Sequence, residues 1–96
     1  MLVSKYYMPD QIHELRNDID RIDSSLIELL SKRMQLSHEI GAIKKGVGIP
    51  PLDKERWQEL IEKCIRAGTA KGLSREYILD IFEVIHRHSL KEQKDA

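Results

Sequence analysis

The chain has a single cysteine, tryptophan and phenylalanine, no long apolar run and no excess of either charge. A lone Cys64 forms no intramolecular disulfide, and its place on an apolar helical face reads as a small buried hydrophobe, usage that fits a reducing compartment. Sixteen Lys and Arg balance sixteen Asp and Glu with no basic block, so neither nucleic acid nor a membrane surface has an electrostatic footprint. No stretch approaches the roughly 20 apolar residues of a membrane span, and MLVSKYYMPD at the start carries neither a signal-peptide apolar region nor a targeting pattern. These absences predict a soluble, cytoplasmic protein. Metal and nucleophile chemistry are also missing. Of the histidines, His13, His38, His86 and His88, only the last two are close, and they point about 200° apart on a helix. All four read as surface or rim residues. No phosphate-cradling glycine loop and no nucleophile motif occurs.

What the chain does have is one long amphipathic stretch, from about Pro9 to Lys45. Ile12, Leu15, Ile19, Ile22, Leu26 and Leu29, then Leu36, Ile40 and Ile43, follow the alternating three- and four-residue spacing of a heptad seam. Arg33 occupies the seam position between Leu29 and Leu36. A guanidinium aimed into a buried face is costly unless something anionic meets it. A helix of this length extends roughly 50 Å, beyond the roughly 25–30 Å diameter of a compact domain of about 100 residues. The seam therefore predicts burial by a partner chain. Ninety-six residues also lie near the lower end of what buries an adequate core alone, a shortage that oligomerisation relieves.

Residues 1–8 show no periodicity and are expected to form a flexible tail, followed by a single domain over 9–94. Pro9 suits a first helical turn. Gly46, Gly48, Pro50 and Pro51 predict a loop over 46–52. Asp53 is placed to cap a second helix carrying Trp57, Leu60, Ile61, Cys64 and Ile65 and running to about Ala70. Ser74 is placed to cap a third, with Tyr77, Ile78, Ile81, Phe82 and Ile85 as its stripe. On that same face the stripe turns polar, at Ser89 and Gln93. The expected fold is all-α: one long helix and two shorter ones.

Several residues at the edges of these apolar faces are candidates for ligand binding. Arg33 and Lys44 are eleven residues apart, at nearly one azimuth and with Cα atoms about 16 Å apart, so both side chains can reach a small metabolite. Arg33 has a second reading, as the partner of a buried Glu across an interface; Lys44 has one as a solvated helix end. Arg16 flanks the same seam, but about 42 Å from Lys44 along the axis. One small ligand cannot touch both within one chain. Asp53 and Arg56 are either a cap with a surface ion pair or part of a site. Ser89 and Gln93 are either edge groups bonded to backbone or water, or a pocket wall.

Taken together, these residues resemble the small all-α chorismate mutases. The resemblance runs from Leu15 to Gln93 through five ordered pieces: L-R-N-D-I-D-R-I-D from Leu15, L-L-S-K-R ending at Arg33, I-G-A-I-K ending at Lys44, D-K-E-R from Asp53, and S-L-K-E-Q from Ser89. It implies that Arg16, Arg33, Lys44, Asp53, Arg56, Ser89 and Gln93 bind substrate, in an intertwined helical homodimer whose Arg16 enters the partner's site. Such a shared site removes the distance problem for Arg16. One departure stands out. Trp57 occupies the position after Arg56 where many members carry a Glu that helps bind the substrate, which leaves Asp53 as the main candidate for the substrate hydroxyl. Trp57 itself reads as a core anchor.

The activity so implied is the rearrangement of chorismate, a dicarboxylate, to prephenate in phenylalanine and tyrosine biosynthesis. Neither metal nor cofactor is implied. Arg16 and Arg33 are expected on the carboxylates, with Ser89 assisting at a carboxylate and Arg56 supporting them or Asp53. Lys44 and Gln93 are expected on the ether oxygen, and the catalytic set is Lys44, Gln93 and Arg33. Three readings compete: an isochorismate-pyruvate lyase on the same scaffold, a non-catalytic helical dimerisation module whose seam cation sets register, and a regulatory domain that binds without turnover.

Overall fold

The computed structural model describes residues 2–96, with side chains from Asp10 onward. Among the described residues there are three α-helices and no strand: α1 (Leu2–Val47), α2 (Lys54–Thr69) and α3 (Arg75–Asp95). The helical backbone begins seven residues ahead of Pro9, where the sequence placed its start. The expected tail over 1–8 has its side chains, and all of Met1, outside the described residues. Among the described residues, no helix is long and apolar enough to cross a membrane.

The chain divides into two units, 1–33 and 34–96. The first consists of α1 up to Arg33. Its seam is uncovered: Leu15 is 62% exposed and Ile22 65%, and Ile12, Ile19, Leu26 and Leu29 are exposed as well. A lone helix draws most of its stability from packing of its apolar face. Covering the remaining half of six such side chains is worth roughly 5–10 kcal/mol.

The second unit holds the last part of α1 with α2 and α3. Gly48 adopts φ 74°, which a side chain would disfavour, and there α1 stops. Its final carbonyls are satisfied by Gly48 N–H to Lys45 O (3.4 Å) and Ile49 N–H to Lys44 O (2.8 Å), the bonding pattern of a glycine-terminated helix. The loop expected over 46–52 thus starts at Gly48, with Gly46 still helical. The same device closes α2, where Gly72 (φ 88°) and Leu73 donate to Thr69 O and Gly68 O. Both expected caps form. Asp53 Oδ1 accepts from Arg56 N–H at 2.9 Å, and Ser74 Oγ from Tyr77 N–H at 3.1 Å.

Helices α2 and α3 pack through Ile61 and Ile78, at 5% and 4% exposure. Gly68 makes the approach possible, because a Cβ there would lie 1.9 Å from Ile78 Cδ1. Cys64, expected to be buried, is half-buried on the same face.

Candidate active site

On the last turns of α1, Ser37, Gly41 and Lys44 share one face at i, i+4 and i+7, and on α3 Ser89 and Gln93 share one at i and i+4. Gly41 has no side chain to keep the two helices apart. A Cβ there would lie 2.5 Å from Gln93 Cα and 2.6 Å from Gln93 O, so backbone meets backbone. A polar pair sits on either side of this contact.

One turn earlier, the buried hydroxyls of Ser37 and Ser89 are hydrogen-bonded to each other. One residue along, His38 Nδ1 lies 2.9 Å from Glu92 Oε1. One turn later, half-buried Lys44 donates from Nζ to Gln93 Oε1 at 3.0 Å and to Pro51 O at 2.8 Å. An ammonium has three donors, so one N–H of Lys44 remains, beside the amide NH2 of Gln93. These donors are held in place and desolvated on one side. A cleft of about 290 Å³ borders Gln93, Gly41, Lys45, Ile49, Pro51 and Lys94.

The bond to Pro51 O ties Lys44 to the loop leading into α2, two residues ahead of Asp53. Asp53 commits one carboxylate oxygen to the Arg56 backbone N–H, and both side chains are exposed. Trp57 follows. Its N–H donates to Asp53 O at 3.0 Å, and its ring stacks on His86 of α3 at 4.1 Å between centroids and 20° between planes.

Of the seven residues expected to bind substrate, the second unit brings Lys44 and Gln93 into direct contact, puts Ser89 one turn from Gln93, and ties the loop before Asp53 and Arg56 to Lys44. Arg16, exposed, and Arg33, half-buried, belong to the first unit. Two further groups went unnoticed in the sequence, and His86, read there as a surface or rim residue, is half-buried against Trp57. Ser37 carried a weak signal, a small polar residue seven before Lys44. The Pro51 carbonyl carried none, being backbone. His86 lies three residues before Ser89, but its ring partner is 29 positions away in the chain.

The sequence model for chorismate mutase type II matches residues 15–94. The chain belongs to this family. Its match takes in all seven of those residues, together with Ser37, Pro51, Trp57 and His86. Within the family, the chain is 30% identical to the T-protein of Enterobacter agglomerans over 92% of its own length. It is 26% identical to the chorismate mutase of Methanocaldococcus jannaschii over 91% of its length, spanning 88% of that protein. It is 34% identical to the bifunctional chorismate mutase/prephenate dehydratase of Escherichia coli (strain K12) over 83% of its length. The chain spans only 24% of the T-protein and 21% of the bifunctional enzyme.

Proposed function

We propose that the chain is a chorismate mutase, converting chorismate to prephenate in the route to phenylalanine and tyrosine. The observation that carries this is the Lys44–Gln93 pair, two hydrogen-bond donors fixed side by side with donor capacity to spare. In the rearrangement a C–O ether bond breaks as a C–C bond forms within one molecule. No proton leaves and no nucleophile attacks. The chain's task is to hold the dicarboxylate in its compact diaxial form and to meet the charge that builds on the ether oxygen. A pre-placed ammonium and amide suit the second requirement. Removing one such donor from an oxyanion site costs about 10²–10³ in kcat.

In this reading Arg33 binds a carboxylate, and Arg56 supports it or Asp53. Asp53 uses the carboxylate oxygen left over from its cap to accept from the substrate hydroxyl. Ser37 donates to the Ser89 oxygen, which leaves the single O–H of Ser89 to reach a carboxylate. Arg16 comes from a second copy. The exposed seam of α1 supports an intertwined homodimer, because an uncovered apolar stripe of this size on a lone helix calls for another surface. Residues 9–94 then make one domain, completed by the partner, in the cytoplasm.

Chorismate and isochorismate, offered separately and followed by ultraviolet absorbance, test the assignment. Chorismate is expected to be consumed, with prephenate as product. Salicylate and pyruvate from isochorismate, with chorismate untouched, would replace the mutase by a lyase.

A further inference from the structure

The ring contact between Trp57 and His86 lies outside every residue assigned so far. Trp57 is the fourth residue of α2, and the turn it closes is internally bonded: its N–H holds Asp53 O, and Arg56 N–H holds Asp53 Oδ1. Asp53, Arg56 and Trp57 therefore move together. On α3, His86 precedes Ser89 by three residues and Gln93 by seven, so all three fall within about 60° of one azimuth. The buried core between α2 and α3, at Ile61 and Ile78, contacts α2 beyond its first turn. Residues 53–56 are all exposed, whereas Trp57 and His86 are half-buried.

We propose that the Trp57–His86 stack is a positioning pair, which sets where the first turn of α2 presents Asp53 and Arg56 to the face of α3 that carries Ser89 and Gln93. The proposal rests on the mutase reading for what the turn binds. Both rings act through Asp53 and Arg56. Their loss weakens ground-state and transition-state binding alike, which appears in KM and not in kcat.

Two variants separate the stack from mere filling of space. His86→Leu keeps the volume without an aromatic face, and His86→Phe keeps the face. His86→Leu is expected to raise KM for chorismate about two- to tenfold, the range an aromatic pair is worth, with kcat within about twofold of wild type. His86→Phe is expected to restore KM. A KM unchanged in His86→Leu, or raised equally in both variants, overturns the proposal.

Amide hydrogen exchange supplies a readout that does not depend on turnover. The N–H groups of Arg56 and Trp57 are expected to exchange faster in His86→Leu than in wild type or His86→Phe, while amides of α3 between Ile78 and Ile85 keep their rates. Should the wild-type chain leave chorismate untouched, the mutase reading fails by itself. Exchange then decides the stack: selective loss of protection at Arg56 and Trp57 upholds the positioning role, and equal protection in the three proteins ends it.

Discussion

Gly41→Ala adds one methyl where α1 and α3 touch backbone to backbone. The new Cβ would lie 2.5 Å from Gln93 Cα, 2.6 Å from its O and 2.9 Å from its C, and ordinary contact begins at 3.4 Å, so the helices must part locally by about 0.9 Å. No flexible side chain is in the way to yield. Lys44 is long enough to follow Gln93; the short hydroxyls of Ser37 and Ser89 are not. Overpacking costs about 1–3 kcal/mol, and unpairing buried hydroxyls adds about 1–3 more. Alanine's better helix propensity returns about 0.8–1 kcal/mol. A net loss of about 1–5 kcal/mol is expected, read from the urea midpoint at unchanged slope. Activity is expected to fall as well, because about 1 Å of misplacement at a positioned donor costs about 10²-fold. Gly46→Ala is the control. That glycine is in the same helix with nothing within 4 Å of its added Cβ, so the variant should be at least as stable as wild type and fully active. Wild-type kcat and urea midpoint in Gly41→Ala would refute the close-approach argument.

Gln93→Ala removes the amide that accepts from Lys44 and is proposed to donate to the ether oxygen. Its kcat is expected to fall about 10²–10³-fold with the helical circular dichroism unchanged, and unaltered kcat and KM would remove Gln93 from the mechanism. Arg33→Leu restores an apolar residue to the seam. A dimer with a higher thermal midpoint but little activity is expected, since a fitted apolar residue can outperform a buried cation. A more stable dimer with full activity would leave the seam cation a register device only.

Local signals in the sequence were enough for the caps and helix ends. Asp53 and Ser74 cap because a short side-chain oxygen meets an orphan N–H within three residues, and Gly48 and Gly72 end helices because each takes positive φ. The start of α1 was not legible from Pro9. A proline costs a helix one hydrogen bond and does not by itself mark its first turn. Contacts across the chain were harder still. That Gln93 faces Lys44 was expected from the family pattern, but Ser37 against Ser89 spans 52 positions, and His86 under Trp57 pairs residues on two helices. Periodicity gives the azimuth of each side chain on its own helix and says nothing of which neighbour that azimuth meets. The Pro51 carbonyl is a backbone atom, which no residue pattern reports.

Whether two copies build each site is tested most directly by mixing two inactive variants. Arg16→Ala and Lys44→Ala homodimers each lack one cation at every site, and both are expected to be nearly inactive toward chorismate. In a mixed dimer with Arg16 acting in trans, one site receives both lesions and the other neither. Unfolding the variants together and refolding them at equal concentration makes about half the dimers mixed, so activity is expected to recover to about a quarter of wild type per site. Subunit exchange demonstrated by mass spectrometry of the mixed dimers, with no recovery of chorismate turnover, would contradict a site shared between two copies.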